Sequence, residues 1–143
     1  MNIYLDTSAL NRIFDDQSQP RIYLESSAMI LIFAMIEESF VKLVSSEALI
    51  YENTANPYVE RRTFITAILK KAVIFQTLNE HLLDRAQQIE TTCGIKGVDA
   101  LHLACAEKLK AVFLTCDDKI IKRYVGKLQV MNPVDFARLH TKD

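Results

Sequence analysis

An α/β/α sandwich around a central, mainly parallel β-sheet is the architecture to expect from this sequence, on three observations. Short apolar runs of strand character alternate with helical patterns along the chain. The run 111–114, Ala-Val-Phe-Leu, is continuously apolar, as suits a parallel strand covered on both faces. A length of 143 residues, 50% of them hydrophobic, is enough to bury one core but leaves no room for a second domain, so 1–143 is expected to be one unit.

The first strand is expected at once, over Asn2–Leu5, and ends at Asp6-Thr7-Ser8. No basic stretch or hydrophobic segment of a signal peptide precedes it, so export is not expected. Thr7 and Ser8 can cap a short helix over 9–14, and Ser8 can also orient Asp6. A polar loop over 17–20 leads to a long helix, 21–39, whose centre, 28–36, is nine consecutive apolar residues. That is well short of the roughly 20 needed to cross a bilayer. A helix apolar all round is either deeply buried or shared with a partner chain, and a homodimer is the expectation.

A second strand over 40–44 is closed by Ser45 and Ser46, which offer an N-cap to a helix over 47–53. Glu47 in its first turn favours the helix dipole, whereas Glu52 near its end opposes it and so needs another reason. Asn56-Pro57 starts a helix over 58–71 with Arg61, Arg62, Lys70 and Lys71 on its polar side, which as a rule is a solvated face. A third strand is expected at 73–75 and a helix at 80–92. Gly94 and Gly97 then break the pattern.

From Val98 the apolar residues recur at helical spacing to Leu109, which places Asp99 in the first helical turn. The strand 111–114 follows, and Asp117 lies just beyond its carboxyl end, where open α/β sheets gather their chemistry. A helix over 118–124 carries Lys119, Lys122 and Arg123 close to that acid. A last strand, 128–131, and a helix over 133–139 opened by Pro133 complete the chain.

Asp6 and Asp117 thus come to strand ends, Asp99 to a helix start, and Glu52 is the fourth acid to join them. Taken singly, Asp99 is most simply explained as a helix cap. Taken together, four neighbouring carboxylates repel one another and take up protons unless a cation neutralises them. Oxygen ligands alone call for Mg²⁺ or Mn²⁺, and the chemistry that follows is hydrolysis of a phosphodiester by an activated water.

Charge and cysteine content narrow the alternatives. A net charge of −1 argues against a protein held on nucleic acid by bulk electrostatics. Cys93, Cys105 and Cys116 form no metal-ligand pattern, and their odd number suits a reducing, cytoplasmic setting. His102 lies three residues after Asp99 on a neighbouring helix face; it can act as a base in principle, but a structural hydrogen bond is the expectation.

Four segments together resemble the PIN domain, the nuclease fold of prokaryotic ribonuclease toxins of the VapC type, over nearly the whole chain. IYLDTSAL resembles the opening strand and first acid, Asp6; SSEALIYEN the second acidic segment, with Glu52 in preference to Glu47. VDALHLACA resembles the third motif, with Asp99, and FLTCDD the fourth, with Asp117, Asp118 beside it and the hydroxyl of Thr115. The resemblance implies a Mg²⁺- or Mn²⁺-dependent endoribonuclease with Asp6, Glu52, Asp99 and Asp117 catalytic and Asp6, Asp99 and Asp117 on the metal. Ser8, Thr115 and Asp118 would support them; Lys119, Lys122 and Arg123, by their place just after Asp117, are the candidates to hold RNA phosphates, a solvated face being the plain alternative. The resemblance implies RNA as substrate, an antitoxin protein as partner, and no membrane. A PIN-like RNA-processing nuclease outside a toxin system, a non-cleaving PIN-like binding module, and a phosphatase with nucleophilic Asp6 are the alternatives. Against the last, the usual second Asp two residues on is Ser8 here.

Overall fold

The computed structural model of the chain describes residues 1–141. Five strands form one sheet: β1 (Asn2–Leu5), β2 (Lys42–Ser46), β3 (Ile74–Gln76), β4 (Val112–Leu114) and β5 (Val130–Met131). Their order is β3-β2-β1-β4-β5 and every pairing is parallel, so the expectation of a mainly parallel sheet is met in full. Parallel neighbours need crossovers, and helices supply them in an α/β/α arrangement. The helices are α1 (Thr7–Asn11), α2 (Pro20–Glu37), α3 (Glu47–Thr54), α4 (Val59–Leu69), α5 (Glu80–Cys93), α6 (Gly97–Leu109), α7 (Asp118–Arg123) and α8 (Pro133–His140), with a 3₁₀ turn at Arg12–Phe14.

The central strands are sealed on both faces. Ile3, Tyr4 and Leu5 of β1 and Phe113 and Leu114 of β4 are fully buried, which is why their sequences show no polar alternation. At the edge, β3 leaves Ile74 and Phe75 exposed. The first helix starts at Thr7 rather than Ala9, because Asp6, in extended conformation, is itself the N-cap, and 12–14 tightens into the 3₁₀ turn. Ser46 caps α3, accepting from Leu49 N at 3.2 Å. Gly94 ends α5 in the left-handed region, at φ 70°, where a side chain would be strained.

The long helix α2 is not deeply buried. Met29, Ile32 and Ile36 enter the core, while Tyr23 (59%), Ile30 (62%) and Leu31 (39%) stand exposed on the other side. Of the two positions expected for it, full burial is excluded. Glu25, on the buried side, is neutralised there: Arg12, Arg21 and Asn132 all donate to its carboxylate. Among the described residues no helix is long and apolar enough to cross a membrane.

Candidate functional site

Strand order decides where chemistry can gather. From β1 the chain winds outward through β2 and β3, then returns to the other side of β1 as β4 and β5. The order reverses between β1 and β4, so their carboxyl ends open a crevice. Asp6 follows β1 and Thr115, Cys116 and Asp117 follow β4, and Asp6 N donates to Leu114 O at 3.2 Å across the gap.

A ladder of hydroxyls sets these residues. Asp6 Oδ1 accepts from Ala9 N at 2.9 Å, as the cap of α1, and from Ser8 Oγ at 2.7 Å. Ser8 Oγ accepts in turn from Cys116 N at 3.0 Å and lies 3.2 Å from Thr115 Oγ1. Thr115 Oγ1 accepts from Asp117 N at 3.0 Å, and Asp117 Oδ1 caps α7 through Lys119 N at 2.9 Å. Ser8 therefore orients Asp6 and does not cap α1. Burial pushes the Asp6 carboxyl up, while Thr115, Ser8 and the Ala9 amide pull it back.

Asp99 enters from α6. The N-cap of that helix is Lys96, and Asp99, in its first turn, makes no hydrogen bond among the described residues. A capping duty therefore does not explain it. Burial, then the charge of Asp6, pushes its carboxyl up to about 6, and Glu52 and Asp117 add to the rise. Asp6, Glu52 and Asp117 are thus each within electrostatic reach of the Asp99 carboxyl.

Glu52 comes from α3, where Oε1 accepts from Thr7 Oγ1 at 2.8 Å and lies 2.7 Å from His102 Nε2. Burial would raise its carboxyl, but the hydrogen bonds from His102 and Thr7 hold it below the ordinary value. Its late place in α3, costly to the dipole, is explained by these two partners. Glu47 instead faces the loop after β3 and accepts from Leu78 N at 2.7 Å. Behind Glu52, His102 Nδ1 lies 2.6 Å from Tyr4 OH, which is 2.7 Å from Ser46 Oγ. Sequence reasoning expected a structural bond for His102 but named neither of its partners; the signal at hand was its place one turn after Asp99.

The flanking charges divide. Arg21 clamps Asp118 with two bonds of 2.7 Å, so this carboxylate ties α2 to α7 rather than turning to the other acids. Lys119, Lys122 and Arg123 are exposed on α7, with Arg123 donating to Gly94 O at 3.2 Å. The basic side of α4 is largely occupied: Arg61 binds Asp15 and Phe14 O, and Arg62 binds Asn56 O. A cavity of about 900 Å³ lies at the other end of β4, against Val112, Arg85, Lys108 and Leu128, away from the acids.

The donors available fit a hard divalent cation in kind: carboxylates only, one of them half-buried, unbonded and raised by its neighbours. Their spacing does not close around one, since among the described residues no three Asp, Glu, His or Cys side chains stand close enough to hold a metal ion.

Residues 3–127 match the PIN domain family. No curated protein matches the chain. Among solved structures, VapBC2 from Rickettsia felis, bound to a DNA fragment from its promoter, has 15% identity and a TM-score of 0.60, over 92% of this chain and 98% of that one. FitAcB from Neisseria gonorrhoeae has 17% identity and a TM-score of 0.62, over 93% and 98%. FitAB bound to an IR36 DNA fragment has 16% identity and a TM-score of 0.58, over 94% and 96%. At these identities the likeness is one of fold.

Proposed function

The chain belongs to the PIN domain family, and on that footing we propose that it is a Mg²⁺- or Mn²⁺-dependent endoribonuclease, the toxin of a toxin–antitoxin pair, acting as one nuclease unit over 1–143. What supports this reading is the position of Asp6 and Asp117 just beyond the carboxyl ends of β1 and β4, together with an Asp99 carboxyl raised by burial and by the charges of Asp6, Glu52 and Asp117. A nuclease role in general follows from the family; the metal, the substrate and the residues are the proposal.

Asp6, Asp99 and Asp117 would hold the cation, which supplies charge neutralisation for the phosphodiester and activation of the attacking water. Asp6 is held rigid by Ser8 and the Ala9 amide, and Asp117 by the Lys119 amide and Thr115. Asp99, which makes no hydrogen bond among the described residues, would have its carboxylate available to the cation. Glu52, kept ionised by His102 and Thr7, is suited to take a proton from the incoming water. Lys119, Lys122 and Arg123 offer the RNA backbone a cationic surface beside the acids.

The toxin assignment is supported by the fold shared with VapBC2 and FitAB, each solved on DNA. The exposed apolar side of α2, with Tyr23, Ile30 and Leu31, is proposed as the surface that a second copy covers, and an antitoxin protein as the further partner. Purified protein should cut RNA with Mg²⁺ or Mn²⁺ and stop on addition of excess chelator. Cleavage that continues undiminished in chelator would overturn the metal mechanism.

A further inference from the structure

Tyr4, Ser46 and His102 are polar groups with no exposure at all, drawn from β1, β2 and α6, yet neither Tyr4 nor His102 caps a helix or neutralises a fully buried ion. They meet in one line. Ser46 Oγ lies 2.7 Å from Tyr4 OH, Tyr4 OH 2.6 Å from His102 Nδ1, and His102 Nε2 2.7 Å from Glu52 Oε1. The Tyr4 ring is itself fixed by stacking on Phe113, with centroids 5.5 Å apart and planes at 14°. A buried polar atom without a partner is costly, so such a line persists only if every donor has an acceptor.

We infer that Tyr4 and His102 are positioning residues for Glu52: with Ser46 they form a buried, one-way hydrogen-bond relay that fixes the Glu52 carboxylate at the acidic crevice. The direction follows from the two ends. An ionised carboxylate can only accept, so His102 Nε2 carries the hydrogen and, in a neutral ring, Nδ1 must accept from Tyr4 O–H. Burial holds the Tyr4 phenol well above its ordinary range, so that proton stays on it. The phenol oxygen then accepts from Ser46 O–H, and Ser46 Oγ takes the Leu49 amide at 3.2 Å. Each link donates the same way, and Thr7, also on Oε1, holds the carboxylate from α1. Four elements, β1, β2, α6 and α1, thus back one oxygen of α3 through the two bonds of His102 and Thr7, and Oε2 is left for the crevice.

The relay separates from a mere core contact by what Tyr4→Phe does, since this change deletes one hydroxyl two links away from Glu52. The activity arm rests on the nuclease reading above; the spectroscopic arm does not. In ¹⁵N–¹H spectra of the metal-free protein, His102 should show a neutral ring with hydrogen on Nε2 and an accepting Nδ1. A ring protonated on Nδ1, or on both nitrogens, overturns the relay. In RNA cleavage with Mg²⁺, Tyr4→Phe and His102→Leu should lower kcat by about 10-fold or more at unchanged KM, the usual scale for partners behind a reacting group, and His102→Gln, which keeps a donor near Nε2, should restore most of it. Per folded molecule, undiminished kcat in Tyr4→Phe returns these residues to the core. A wild type that cuts no RNA defeats the nuclease reading alone, and the His102 tautomer then decides the relay.

Discussion

Asp99→Asn replaces a half-buried carboxylate by a neutral amide of nearly the same shape. In the native protein this carboxyl is pushed from 3.8 up to about 6, by burial first and by Asp6 next. Fully buried, that gap would be worth roughly 3 kcal/mol. Asp99 is only half-buried, and screening by water leaves about 1 kcal/mol of it. The folded protein holds the proton more tightly than the unfolded chain, so the stability it confers is complete below about pH 3.8 and is lost as pH rises through about 6. At pH 7 the wild type carries the full penalty and the variant does not. Metal-free Asp99→Asn should therefore melt roughly 3 °C higher at pH 7. The two curves of Tm against pH should converge toward pH 4. Added Mg²⁺ should raise the Tm of the wild type more than that of the variant, because binding to the native state stabilises by mass action. RNA cleavage should fall at least about 100-fold, the scale of losing a positioned catalytic group. Parallel curves at all pH, an equal response to Mg²⁺ or unimpaired cleavage would each refute the converging carboxylates.

Other expectations follow from the same geometry. Ile30→Glu on the exposed side of α2 should turn a dimer into a monomer by light scattering at unchanged Tm; a wild type that is monomeric at tens of micromolar removes the interface. Neutralising Lys122 and Arg123 together should raise KM for RNA and lower the slope of its logarithm against that of salt by about one for each phosphate no longer neutralised, leaving kcat nearly intact; an unchanged slope makes them solvated surface. Glu25→Ala leaves Arg12 without its buried partner and should cost about 3 kcal/mol in urea unfolding, while cleavage per folded molecule stays intact; a loss of cleavage beyond that of fold would place Glu25 in the functional site.

Much of this protein is written locally. The apolar runs of β1 and β4 mark doubly covered strands, and the residues that follow a strand or open a helix inherit their place from it, so Asp6, Asp117 and Asp99 could be located from the sequence alone. The parallel order of the sheet follows from helices long enough to serve as crossovers. Which side chain answers which was not legible, because helical and strand periodicity fixes a residue's face but not what packs against it from elsewhere. Tyr4 reaches His102 across 98 positions and Arg21 reaches Asp118 across 97. Those two pairings decide that His102 stands behind Glu52, and that Asp118 joins two helices instead of the acids. The resemblance of its segment favours Glu52 over Glu47, but the partners of Glu52 were not legible: both acids lie on α3, and only the packing of α6 and α1 against it brings His102 and Thr7 to one of them. The nine apolar residues of α2 are uniform in sequence, and the fold alone determined which of them entered the core and which were left at the surface.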